Sequence, residues 1–349
     1  MIGVAALVAL SFGLLLCACA APRIVEPASN QLTPLLAQGY ARMPDGYRLP
    51  LRVWPVRQTD GDQPDIVVLG LHGFNDYAHA FAPLARSLAE AGITTYAVDQ
   101  RGFGATVLPG RWHGSEQLAA DLTALTQLLR QQHPHASLYL VGESMGGAVV
   151  MNALTQAALP IDGAVLIAPA VWSRDAMPWY QRLGLDTLAR IAPGMRLTGE
   201  GVSIRPSDNL DMLRAMSADP LVIKATRVDA LWGVTNLMDQ ASAAGLTGMR
   251  AGAPSGPLLL LYGERDEIIP RGAFCRLLSR LPRNDTQTRF VLYRHGWHML
   301  PRDLQGRRVH ADVVAWLHDP RAPPPSGEES APGSERAEGF CNAPSQMAR

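Results

Sequence analysis

From residue 40 to residue 319 the chain alternates short, continuous apolar runs with longer stretches whose apolar residues recur every three or four positions. The first pattern belongs to strands covered on both faces, the second to helices with one buried face. An alternating run over 47–56 reads as an early antiparallel strand, and 66–71 as a buried one. Phe81, Leu84, Ala85 and Leu88 then mark one helical face, 94–98 the next strand, and Leu118, Leu122, Leu125 and Leu129 a second helix. Strands at 138–141, 164–167, 258–262 and 290–293 follow, before a closing helix that carries Val313, Trp316 and Leu317. Strands separated by amphipathic helices predict an α/β fold, a mostly parallel sheet with helices on both faces.

The rhythm breaks between about 170 and 254, where helical stretches (183–191, 210–216, 221–240) occur without a convincing strand. An insertion of that size reads as a helical cap over the carboxyl edge of the sheet, where open α/β sheets bind ligands. Met177, Trp179, Met195, Met212, Met216, Trp232 and Met238 give it an apolar content suited to a lipid-like substrate, although most of these residues are expected to form the cap's own core.

The two ends differ from the middle. Residues 1–21 are almost wholly apolar and long enough to span a bilayer. They include Leu16-Cys17-Ala18-Cys19, which resembles a bacterial lipobox with Cys19 as the lipidated residue. A lipoprotein signal is the expected reading, beside an uncleaved anchor or an ordinary cleaved signal. All three export the chain, and the expected reading anchors it in the cell envelope, with the N-terminal lipid or the leader as its contact to the membrane. Residues 22–39 are expected to form a tether, and the Pro-, Ser-, Gly- and Glu-rich stretch 320–349 a disordered tail.

Among 349 residues, 31 basic side chains balance 31 acidic ones, so no field favours a nucleic-acid partner. Beyond the leader the cysteines are Cys275 and Cys341. Their spacing suggests neither a metal site nor a disulfide framework, and a single bridge in an oxidising compartment stays open. His133-Pro134-His135 lacks a carboxylate or cysteine partner and is read as structural.

The candidate chemistry begins at Gly142-Glu143-Ser144-Met145-Gly146-Gly147, between the apolar run 138–141 and a helix. Small residues at Gly142 and Gly146 let a strand turn sharply into a helix and present Ser144 in a strained conformation. A serine hydroxyl needs a base, and the base needs an orienting acid. Asp266 is the candidate acid, after strand 258–262 and with Glu264 and Glu267 as rivals. His298 is the candidate base, after strand 290–293 and with His295 as its rival. All three lie at carboxyl ends of strands. The backbone N–H groups of Met145, opening the helix, and Phe74, in the loop His72-Gly73-Phe74-Asn75-Asp76, are the candidate donors to an oxyanion.

Together these stretches resemble the monoacylglycerol lipase / lysophospholipase branch of the α/β-hydrolase superfamily, often grouped with serine aminopeptidase-like hydrolases. The resemblance covers about 45–318 and includes Asp45-Gly46, Leu71-His72-Gly73-Phe74, Asp99-Gln100-Arg101-Gly102-Phe103-Gly104, the serine turn, Asp219-Pro220-Leu221, the stretch 263–266, and His298. It implies an eight-stranded hydrolase fold with a helical cap, and ester hydrolysis through an acyl-enzyme without a cofactor or metal. Ser144, Asp266 and His298 would be its triad, with Phe74 and Met145 as oxyanion donors. Glu143 stands where many members carry His, and Phe103 where many carry a polar residue. The substrate implied is a small-molecule acyl ester, a monoacylglycerol or lysophospholipid. The alternatives are a short-chain carboxylesterase or acyltransferase and, further off, an aminopeptidase or a non-catalytic surface lipoprotein. An amine-binding acidic cluster of Glu200, Asp208 and Asp211 in the cap would favour the aminopeptidase.

Overall fold

In a computed structural model that describes residues 22, 24–56, 64–199, 201, 203–251, 256–281, 285–331 and 333–343, the apolar runs become strands of one large sheet. The chain starts with β1 (Leu35–Ala37), β2 (Tyr40–Arg42) and β3 (Arg48–Trp54). It continues through β4 (Ile66–Leu71), α1 (Ala82–Glu90), β5 (Ile93–Val98), α2 (Ser115–Gln132), β6 (Ser137–Glu143), α3 (Met145–Gln156) and β7 (Gly163–Ile167). The cap comprises α4 (Trp179–Ile191), β8 (Arg196–Thr198), α5 (Leu210–Ala218), β9 (Ala225–Arg227) and α6 (Val228–Ala251). The chain then returns with β10 (Leu258–Gly263), α7 (Arg271–Ser279), β11 (Thr288–Tyr293) and α8 (Gly306–His318), and ends its described course in α9 (Glu335–Asn342).

The strand order is β1-β2-β3-β5-β4-β6-β7-β10-β11. From β5 onward every pairing is parallel, whereas β1, β2 and β3 form an antiparallel meander whose last strand joins β5. Successive side chains along a strand serve opposite faces. On β6, Leu138 and Leu140 enter one core with α2, α3 and α6, while Tyr139 and Val141 enter the other with Leu84, Leu88, Val313 and Trp316 of α1 and α8. Covered on both faces, β7 and β10 read as unbroken apolar runs rather than alternating ones, and β5 is buried along its whole length although it carries Thr94 and Thr95.

Three segments depart from expectation. The nine strands exceed eight because Leu35–Ala37, within the expected tether, pairs with β2 in the register Leu36↔Ala41. Val25 N–H also donates to Trp112 O at 2.9 Å, so 24–39 runs along the domain instead of leading away from it. The cap, read as wholly helical, holds a two-stranded antiparallel ribbon of β8 and β9. The tail expected to be disordered is packed through residue 343. Ser330 N–H donates to Phe290 O and Leu292 N–H to Glu328 O, α9 is capped by Ser334, and Cys275 is bridged to Cys341. A polar segment with too little apolar surface for its own core can still order by borrowing backbone partners and a covalent tie from a finished sheet.

Candidate active site

At the β6–α3 turn the chain has no room for a side chain at Gly142 or Gly146. A Cβ on Gly146 would lie 2.0 Å from Leu71 O, and one on Gly142 would lie 2.6 Å from Gly146 O. That close packing of turn, helix and β4 forces Ser144 into φ 52°, ψ −115°, a conformation costly for a residue with a side chain. Ser144 N–H donates to Ile167 O at 2.9 Å and its own carbonyl accepts from Ala170, so the turn is held from the β7 side as well.

The structure brings the three sequence candidates together. Ser144 Oγ lies 2.9 Å from His298 Nε2, and His298 Nδ1 lies 2.8 Å from Asp266 Oδ2. With the proton on Nδ1 the ring donates to Asp266 and accepts from Ser144. Asp266 Oδ1 is occupied by the N–H groups of Ile268 and Ile269, at 2.8 and 2.9 Å, so the carboxylate cannot swing. Burial works against an imidazolium at His298, but the charge and hydrogen bond of Asp266, aided by Glu143, outweigh it and raise the histidine above its ordinary value. Ser144 itself is 8 % exposed.

The rivals are elsewhere. Glu264 pairs with Arg336 of the tail, Glu267 accepts from Arg205 N–H, and His295 meets Arg265 on an exposed edge. His72 is buried, with Nδ1 on Gly73 O and Nε2 accepting from Gln100 N–H; burial holds it below its ordinary value, as a neutral scaffold ring. Asp208 accepts from Leu304 N–H and Asp211 pairs with Arg214 in solvent, while Glu200 lies outside the described residues, as does Cys19.

The candidate oxyanion donors flank Ser144. Met145 opens α3, whose first N–H groups have no earlier carbonyl in the helix to bond. The loop bearing Phe74 lies against the serine, since a Cβ on Gly73 would stand 3.9 Å from Ser144 Oγ. Phe74 rests edge-on against Phe103 at 5.5 Å, and Phe103 likewise against His72, an apolar wall beside the loop. Arg101, buried between Asp45 (2.6 Å) and Asp121 (2.5 Å), anchors the neighbouring 99–104 turn rather than reaching the serine.

Sequence reasoning missed a buried ionic cluster next to this chain of groups. Arg302 donates to Asp76 at 2.7 Å and to both oxygens of Glu143 at 3.2 and 3.3 Å. It escaped notice because its members, two in loops and Glu143 at the end of β6, lie far apart in sequence. The only local sign was Glu143, an acidic residue immediately before the serine.

A mostly parallel sheet in this strand order, with a serine on a strained strand–helix turn and a histidine beyond the last strand, defines an α/β-hydrolase. The family profile described as serine aminopeptidase, S33, matches residues 62–305, and the chain belongs to that family of hydrolytic enzymes. It is 28 % identical over 281 residues to a monoacylglycerol lipase of Mycolicibacterium smegmatis, covering 78 % of this chain and 93 % of the relative. The human monoglyceride lipase is 25 % identical over 286 residues, covering 78 % and 88 %. Among solved structures, the Paleococcus ferrophilus monoacylglycerol lipase superposes with a TM-score of 0.62 at 24 % identity, over 77 % of this chain and 98 % of that one.

Proposed function

We propose that the protein is a serine ester hydrolase that cleaves monoacylglycerols, lysophospholipids or similar acyl esters through an acyl-enzyme. The observation that carries the reading is the continuous hydrogen-bonded path Ser144–His298–Asp266 at the carboxyl edge of the sheet. Ser144 Oγ attacks the ester carbonyl while His298 Nε2 takes its proton, and Asp266 steadies the resulting imidazolium. The oxyanion accepts from the N–H groups of Phe74 and Met145, donors each worth about 3–4 kcal/mol of barrier. His298 then hands its proton to the departing alcohol, and water repeats the sequence to release the acid. The monoacylglycerol lipases among the relatives support the substrate class.

The leader supports a further part of the reading: export, acylation of Cys19 and residence at a membrane of the cell envelope. A disulfide between Cys275 and Cys341 fits an oxidising compartment. Mass spectrometry of the mature N-terminus should find a fatty-acylated Cys19; a free terminus at another residue would refute it.

The test of the activity is an ester series from two-carbon to eighteen-carbon acyl chains, with a monoacylglycerol and a lysophospholipid. Turnover should peak at the longer chains and fall by roughly 10⁴–10⁶-fold in Ser144→Ala, with the fold retained. Activity limited to short chains would move the enzyme to the carboxylesterases. Undiminished turnover in Ser144→Ala would end the nucleophile assignment.

A further inference from the structure

Arg302 is buried and joins two loops and the end of β6 that the chemistry needs in register. Its guanidinium meets Asp76, which also accepts Tyr77 N–H at 2.9 Å and whose own N–H donates to Gly73 O, so Asp76 shapes the loop that carries Phe74. It meets Glu143, the residue that precedes the strained Ser144. Its backbone belongs to the loop of His298, where Arg302 N–H donates to Met299 O at 2.8 Å. One side chain therefore links the oxyanion loop, the nucleophile turn and the base loop.

Stability alone explains the arrangement poorly. Desolvating three ions costs several kcal/mol each, and apolar replacements of similar shape commonly do as well or better. One guanidinium also serves two carboxylates, leaving a buried negative charge beside the base. That surplus favours the imidazolium that His298 becomes on taking the serine proton, while Arg302 moderates it.

We propose that Arg302 and Glu143 are positioning residues for the hydrolytic reaction. They hold the Phe74 loop, Ser144 and His298 in register, and they tune the electrostatic field at the histidine. The proposal rests on the ester hydrolase reading above. The charged and titratable groups around the imidazole are Asp266, Glu143 and Arg302. Asp76 stands behind Arg302, Asp303 lies on the base loop and His72 on the oxyanion loop. Asp303, bonded to Ser207 and Trp297 N–H, is pushed up by burial to about 6 and adds a second ionisation nearby.

The experiment compares Glu143→Gln, Arg302→Met and Arg302→Lys with the wild-type full chain on a soluble ester. Rates are expressed per serine titrated by a fluorophosphonate, so that unfolded protein does not count. The acidic limb of kcat/KM reports deprotonation of the base. Glu143→Gln removes a charge that favours the imidazolium, so its limb should move to lower pH. Arg302→Met removes one that opposes it, so its limb should move to higher pH. Its kcat should fall about 10- to 100-fold with KM little changed, the scale expected for misplaced reacting groups. Arg302→Lys should restore the limb but only part of kcat, because an ammonium lacks the planar fork that serves two carboxylates. Glu143→Gln is nearly isosteric and keeps the test decisive if Arg302→Met folds poorly. Unmoved limbs and unchanged kcat per titrated serine, in an active enzyme, would overturn this proposal alone. A wild-type chain without serine-dependent turnover would overturn the functional reading and this proposal together.

Discussion

Two helices of similar length, α3 behind the nucleophile turn and α4 at the front of the cap, have opposite fates. Every residue of α3 from Met145 to Leu154 is buried, whereas α4 buries only Ala189 and leaves Trp179 and Leu183 at 68 % and 60 % exposure. Both carry apolar residues in plenty. The difference is what lies opposite: α3 sits between the sheet and α6, while α4 has the body of the protein on one side only. The cap is held to the body by the apolar face of α6, which packs on α3, while polar links add two seams at its front. Ile223 N–H and Thr226 Oγ bond the carbonyl and side chain of Asn75, and Tyr77 Oη donates to Asp219. On the other side, Met299 N–H donates to Pro206 O, Ser207 Oγ to Asp303 and Asn209 Nδ2 to Arg302 O. These seams fall on the two loops that bear Phe74 and His298.

The sharpest consequence for the rigid half is in pH. Because His298 must be neutral to accept a proton and is held above the ordinary histidine value of about 6.5, kcat/KM should begin to fall on acidification while the pH is still above that value. Below the midpoint it should drop about tenfold per pH unit, and a pH profile on a soluble ester checks it. Next in size is the cost of hollowing the shared core. Leu260→Ala, at a fully buried position of β10, should cost about 2–5 kcal/mol in denaturant unfolding. A single seam bond is worth less: Tyr77→Phe, which leaves the packing but frees Asp219, should cost about 1 kcal/mol. Hydrogen exchange should quicken at 219–227 and not in β4. The smallest effect belongs to the cap surface, where Leu183→Ser should stay within about 0.5 kcal/mol. A large loss there would mean that α4 is covered, and the contrast between the two halves would fail.

The geometry of the candidate site was legible where it is local. The turn around Ser144 announces itself because glycines must stand where the backbone crowds β4, and Asp266 and His298 follow strands whose apolar runs are unmistakable. Asp266 rather than Glu264 lies beside His298, since its carboxylate accepts Ile268 and Ile269 N–H on one oxygen and meets the imidazole with the other, while Glu264 pairs with Arg336 of the tail. The Asp76–Arg302–Glu143 cluster was not legible, since charged loop residues look solvated until topology encloses them. Nor were the ordered ends, whose order comes from edges and backbone groups rather than from a hydrophobic period. Met238 joins the core as a cap methionine would, but Trp179 and Met195 face solvent, and periodicity cannot distinguish those outcomes.

The tail segment at 328–330 runs beside β11, with Val291 bridged antiparallel to Glu329. β11 is the last strand of its sheet, and an open strand edge is a template on which a second molecule can extend the ladder. A short polar strap, ending in a covalent tie to α7, occupies Phe290 O and Leu292 N–H on that edge without offering a long strand of its own. The edge of the sheet remote from the antiparallel meander is therefore closed over 290–292 from within the molecule, by backbone partners the chain brings back to it.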